Sequence, residues 1–191
     1  GEYRRFQQLS ESRSDVADSS ITKKALADAL KQLMQTTAFS KISVGNICSL
    51  CDMNRKSFYY HFKDKYDLLQ WIFYTEFIAT VRSDSPEDGW ELLEKVCEYF
   101  YENRTSYVNA FEIDGQDSFR DYFTSVLQTL VLQYFGDSLT DAEHEDFFSS
   151  FFTQAYVLAI QNWLKEEDWP PDLFVENLKS FLMNISGKIL K

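Results

Sequence analysis

The first clear hydrophobic rhythm begins after Thr22. Ala25, Leu26, Ala29, Leu30 and Leu33 recur at helical spacing on one face, and the Thr22 hydroxyl can cap the amides at its start. This predicts a helix from about Thr22 to Leu33, ended by Thr36-Thr37-Ala38-Phe39, with Phe39 turning back into a small core. Ahead of it, Ser10, Ser12, Ser14, Ser19 and Ser20 interrupt any steady apolar face, so residues 1–20 are expected to be a flexible arm. Ile42 and Ile47 then bracket Ser43 in the spacing of a hydrophobic staple around an N-cap. Met53 and Phe58 repeat that spacing around Asn54. Two helices of about two turns, separated by little more than Asp52-Met53, have the proportions of a helix-turn-helix.

The second of these helices, Arg55 to Phe62, is aromatic on one side and basic on the other. Phe58 and Phe62, four residues apart, can anchor it. Arg55, Lys56, Ser57, Tyr59, Tyr60 and His61 compete for the outer positions, and the helix is short enough to enter a major groove. Asp64 can cap the next helix, whose stripe of Leu68, Leu69, Ile72, Phe73 and Phe77 carries it out of the head to about residue 82. Asp84-Ser85-Pro86 marks the first break. Further helices are predicted over about 87–102, 104–110, 117–135, 140–166 and 172–187.

The fold class expected is therefore all-α. An N-terminal three-helix DNA-binding domain over 21–68 is followed by a C-terminal helical regulatory and dimerisation domain over 83–191. The last two helices carry surplus apolar surface. Phe148, Phe152, Tyr156, Phe174, Leu178, Phe181, Leu182 and Ile185 are the candidates for a homodimer face, since two copies would read two half-sites of a palindromic or pseudo-palindromic duplex.

Charge sharpens this division. The whole chain carries a formal −11, yet residues 21–65 hold eight Lys and Arg against three Asp and Glu, and residues 66–191 hold eight against twenty-three. A basic head on an acidic body orients a molecule on a polyanion. No run of about 18 uncharged apolar residues is present, so no membrane partner is expected and a cytoplasmic location is.

Seventeen Phe, eleven Tyr and four Trp make the body rich in rings. Phe100, Tyr101, Tyr107, Phe111, Phe119, Tyr122, Phe123, Tyr156 and Trp163 are candidates to line a cavity for a small-molecule effector; ring count alone does not separate a cavity from a solid core. Cys48-x-x-Cys51 lacks the second cysteine pair of a structural zinc site, and Cys97 begins no matching motif, so reduced core thiols, no metal and no cofactor are expected. No phosphate-binding glycine loop or nucleophile elbow is visible, and no catalytic residue is assigned.

The segment Ile42 to Leu69, ISVGNICSLCDMNRKSFYYHFKDKYDLL, strongly resembles the DNA-binding domain of the TetR family of bacterial regulators, above all at Phe58-Tyr59-Tyr60-His61-Phe62-Lys63-Asp64-Lys65. The resemblance covers about residues 21–70. It implies a homodimer with a body that senses a ligand or protein coregulator. It also implies that Thr22, Lys23, Ser43 and Lys65 position the backbone, while Arg55, Lys56, Ser57, Tyr59, Tyr60 and His61 form the recognition set. Base contacts are expected at Arg55 and Lys56, and phosphate contacts at Tyr60 and Lys65. Asp52 stands where the family commonly has Gly, and Lys56 where it usually has a small residue. Residues 54–73, with Trp163-Leu164 and Trp169-Pro170, further resemble the branch of dihydroxyacetone-kinase regulators. The family at large implies repression, whereas this branch implies activation through a protein partner. A helical protein-interaction adaptor is the alternative from another class.

Overall fold

The computed structural model describes residues 2–113, 118–136, 144–166 and 168–189, with side chains described from 16 to 185 within those ranges. Among the described residues it is helical without strands, in two compact units, residues 1–72 and 73–191.

In the first unit α1 spans Glu2–Met34. This corrects the expected arm and the expected start at Thr22, which is an interior helical residue. The physical reason lies in composition: no Pro or Gly interrupts residues 2–34, and serines lower helix propensity only modestly. Leu26, Ala29, Leu30 and Met34 form the buried face of α1, and Phe39 follows on a single 3-10 turn, Phe39–Lys41. Helix α2 is Val44–Leu50, α3 is Arg55–His61 and α4 is Lys65–Phe73.

Asp52, in the turn between α2 and α3, has φ 54°. Left-handed backbone is what makes glycine the usual choice there, and Asp tolerates it better than most residues with a Cβ. Asp52→Gly is expected to stabilise the head by about 0.5–1 kcal/mol and Asp52→Val to destabilise it, read from urea unfolding midpoints. A Gly variant less stable than the parent would contradict this origin of the turn.

The second unit begins within one continuous helical run. After Phe73, residues Tyr74–Ile78 form a π-helical turn that continues into α5, Ala79–Asp84. The widened turn places Phe73, Phe77 and Ile78 all inward. Ser85, with φ 47°, ends the run ahead of Pro86. Helix α6, Gly89–Glu102, starts on the Asp88 carboxylate, which accepts from the amides of Trp90 and Glu91 at 2.8 and 2.9 Å. Then come α7, Arg104–Phe111, α8, Phe119–Phe135, α9, Glu145–Glu166, and α10, Pro171–Ile189.

The interior of this unit is built of rings. Phe100 stacks on Phe73 with centroids 5.6 Å apart and meets Phe111 and Phe123 edge-on at 5.1 and 4.9 Å; Tyr107 lies 5.0 Å from Phe119. Phe100, Tyr107, Phe111, Phe119 and Phe123 are buried. Five of the candidates for an effector cavity thus interlock as a core, because edge-to-face aromatic contacts fill space that a cavity would need. Of the others, Tyr101 is exposed and stacks on Trp163, Tyr156 is buried on α9, and Tyr122 sits half-buried at the edge of the cluster, its ring 6.3 Å from Phe73 and 6.4 Å from Phe119.

Two phenols inside this core share their hydrogen bonds. Tyr99 Oη donates to Glu76 Oε2 at 3.0 Å and lies 2.8 Å from Tyr107 Oη. Burial drives both phenols far above their ordinary pKa, and neighbouring Glu76 adds to the effect.

Candidate nucleic-acid interface

Local sequence explains why the two short helices form. Asn46 donates its backbone N–H to Ser43 Oγ at 3.1 Å, while the Ser43 amide donates back to Asn46 Oδ1 at 2.9 Å. This reciprocal cap is sealed by Ile42 and Ile47, both buried. Asn54 Oδ1 accepts from the Ser57 amide at 2.8 Å and starts α3. Phe58 and Phe62 are buried, with centroids 5.9 Å apart, so the opposite face of α3 must point to solvent.

That outer face carries the expected set. Arg55, Lys56, Tyr59 and Tyr60 are exposed, Tyr60 at 82% and Tyr59 at 57%. Large tyrosines left in water on a firmly capped helix are available to a groove. Ser57 and His61 are half-buried. Burial, with a smaller contribution from the Lys23 charge, holds the His61 pKa below the ordinary histidine value.

Thr22 and Lys23 are half-buried on α1, and the Lys23 ammonium lies 6.0 Å from the Trp71 ring centroid. Ser43 is exposed, although its hydroxyl already serves the cap. Lys65 stands differently from its expected phosphate contact. Its ammonium donates to the carbonyls of Phe39, Ser40 and Ile42 at 2.7, 3.2 and 2.8 Å and sits 4.7 Å from the Phe39 ring centroid. A lysine has three N–H donors, and all three are spent within the head. Burial lowers the Lys65 pKa, partly offset by Asp64. Lys65 is thus an internal brace that closes the 39–42 turn against the start of α4.

Sequence reasoning passed over Gly45. A Cβ there would lie 2.8 Å from Arg55 Nη2, so the absence of a side chain on α2 lets the guanidinium rest against that helix. Its signal in the sequence is a glycine early in a two-turn helix, where propensity disfavours it. Gly45→Ala is expected to leave stability equal or higher by up to about 1 kcal/mol while weakening specific DNA binding by about threefold to tenfold through displacement of Arg55. Parallel thermal melts and duplex titrations check this; unchanged DNA affinity would show that the Arg55 resting position is immaterial.

The thiols of Cys48 and Cys51 are both pushed upward in pKa, chiefly by burial, and Cys51 Sγ donates to the Ile47 carbonyl at 3.3 Å. They behave as packing groups of α2 and its turn.

The candidate dimer residues divide in the body. Phe148, Phe181 and Ile185 are exposed and Phe152, Leu178 and Leu182 half-buried. Tyr156 and Phe174 are buried within the protomer, so they are corrected to core residues: α10 packs along α6, which brings the Phe174 ring onto that of Trp163 with centroids 4.6 Å apart. Phe147, Phe151, Leu158, Leu173 and Met183, outside the candidate dimer set, add to the exposed apolar surface of α9 and α10. No described helix is long and apolar enough to cross a membrane.

A short, doubly capped helix-turn-helix presenting basic and aromatic side chains, joined to a helical body, defines the class of helix-turn-helix transcription regulators. The chain belongs to the TetR family: residues 26–72 match the pattern of bacterial regulatory proteins of the tetR family, and residues 88–184 that of a transcriptional regulator C-terminal region. It is 33% identical over 146 residues to the HTH-type dhaKLM operon transcriptional activator DhaS of Lactococcus lactis subsp. lactis (strain IL1403), covering 74% of this chain and 76% of that relative. Among solved structures it is similar to a dihydroxyacetone kinase operon activator DhaS, with TM-score 0.64, 25% identity and coverage of 87% and 97% of the two chains. A TetR transcriptional regulator from Streptococcus agalactiae 2603V shares the fold, with TM-score 0.68, 22% identity and coverage of 91% and 98%.

Proposed function

We propose that this regulator binds a palindromic or pseudo-palindromic operator as a homodimer, with α3 of each protomer in the major groove. The observation that carries the reading is the outer face of α3, where Arg55, Lys56, Tyr59 and Tyr60 all stand in solvent on a helix anchored by buried Phe58 and Phe62. Arg55 and Lys56 read base edges, Lys56 also reaching the adjoining phosphate, Tyr59 and Tyr60 meet the groove wall and phosphate, and Thr22, Lys23 and Ser43 flank the backbone. The exposed apolar surface of α9 and α10 supports self-association, since such surface is costly in water and a symmetric pairing covers it on both copies.

Activation is favoured over repression by one finding: the DhaS protein of Lactococcus lactis, with which the chain shares 33% identity, is described as an activator, as is the DhaS of the solved structure. A ligand or protein partner controls the regulator by favouring one disposition of the two heads over another. Selection from a random duplex pool tests the core of the proposal. The expected result is an enriched pair of inverted half-sites with centres about one helical turn, or a whole multiple of it, apart; recovery without a common motif would favour the adaptor reading instead.

A further inference from the structure

With the middle of the body filled by rings, its binding capacity moves to the edge. A groove of about 330 Å³ opens between the π-helical turn with α5 on one side and α8 on the other. Its apolar wall is Ile78, Val81, Val126 and Leu130, and its polar rim carries Tyr74, Arg82, Tyr122, Thr129, Gln133 and Tyr134. The volume is at the small end of those that hold ligands.

The charge in this groove is out of keeping with the body around it. Residues 66–191 are strongly acidic, yet Arg82 is a lining residue whose hydrogen bond goes to a phenol: Nη1 donates to Tyr74 Oη at 3.2 Å, and the guanidinium lies 5.7 Å from the Tyr74 ring centroid. Among the described residues its hydrogen-bond partner is thus not a carboxylate. A planar guanidinium poised over a ring retains N–H donors suited to pair with a carboxylate. Tyr122 is close enough to feel it: burial pushes that phenol's pKa up while the Arg82 charge opposes the shift. One wall of the groove is itself the π-turn, a rare backbone feature that recurs at functional sites.

We propose that this groove binds a small organic carboxylate with a compact apolar or aromatic body, its anion paired with Arg82 and its tail against Ile78, Val81, Val126 and Leu130. This rests on the reading of the chain as a ligand- or partner-responsive regulator and supplies the ligand class. A single guanidinium matches a monoanion better than a phosphate dianion, which would call for more than one cation. Because Tyr74 and Ile78 belong to the same helical run as α4, the ligand acts on the segment through which the chain passes from one compact unit to the other.

Saturation-transfer NMR with matched probes tests the proposal: phenylacetate against phenylacetamide, and 4-methylpentanoate against its amide. At least one carboxylate is expected to saturate with Kd at or below about 1 mM, and its amide to bind about tenfold or more weakly. Arg82→Gln should erase that preference, Val126→Phe should weaken the carboxylate by filling the wall, and Arg104→Gln on α7 should change neither. Circular dichroism and thermal melts confirm that each variant is folded. No saturation by either carboxylate up to about 5 mM, equal binding of acid and amide, or an undiminished preference in Arg82→Gln would each overturn it. The assay contains no DNA, so loss of the ligand site with operator selection intact is distinguishable from failure of the regulator reading.

Discussion

Replacing Arg55 and Lys56 together by Ala is expected to weaken binding to the selected duplex by about 2–4 kcal/mol, roughly 30-fold to 1,000-fold, with helicity and self-association unchanged. Both side chains are exposed and neither belongs to the buried face of α3, so their removal leaves the packing of Phe58 and Phe62 intact. The single variants should differ in kind. Loss of Arg55 should relax base preference at one position of each half-site. Loss of Lys56 should also lower the dependence of affinity on salt, by about one in the log–log slope for each cation-phosphate contact removed. Titrations of all variants over a matched salt series check these outcomes; parental affinity in the double variant would remove α3 from the interface.

Lys65→Met is expected to act on stability. The Met chain can still pack on the Phe39 and Tyr66 rings, but the carbonyls of Phe39, Ser40 and Ile42 lose their shared donor. Charge-assisted bonds of this sort, partly screened at a half-buried site, give a loss of about 2–4 kcal/mol from the head. Urea unfolding followed by far-UV circular dichroism measures it. Operator affinity corrected for the folded fraction should keep its parental salt slope. An unchanged unfolding midpoint combined with a lower salt slope would return Lys65 to the phosphate-contact role that the family resemblance implies.

The head was largely legible in the sequence because its determinants are local. Ser43 and Asn54 cap helices within three residues of themselves, and Ile42 with Ile47 seals a turn of only six residues. Asp52 likewise announced an unusual turn, confirmed by its positive φ. Lys65 was not legible in the same way. Its partners lie 23 to 26 residues away, and a lysine beside a recognition helix reads as a phosphate contact until the 39–42 turn folds under it.

The extended α1 was missed for a simpler reason. Serine-rich polar sequence lacks an apolar face to signal a helix, but it also lacks the Pro or Gly that would stop one propagating from residues 22–34. In the body, periodicity located the helices but could not say what their rings surround. Whether Phe100, Phe111, Phe119 and Phe123 enclose space or fill it depends on interhelical distances of a few ångströms, which no spacing along the chain encodes. The groove at Arg82 was hidden for the same reason: Tyr74 and Tyr122 are 48 residues apart in the sequence and line one groove only where α8 comes alongside the π-helical turn.

The central claim is that α3 reads sequence in the context of a dimer. It is tested most directly by titrating the selected duplex and a scrambled duplex of equal length at one fixed salt concentration, with the mass of the complex measured alongside. The account predicts two protomers on each palindromic duplex and at least about a 1,000-fold preference for it over the scrambled sequence. Equal affinity for the two duplexes, or saturation by a single protomer, would contradict it.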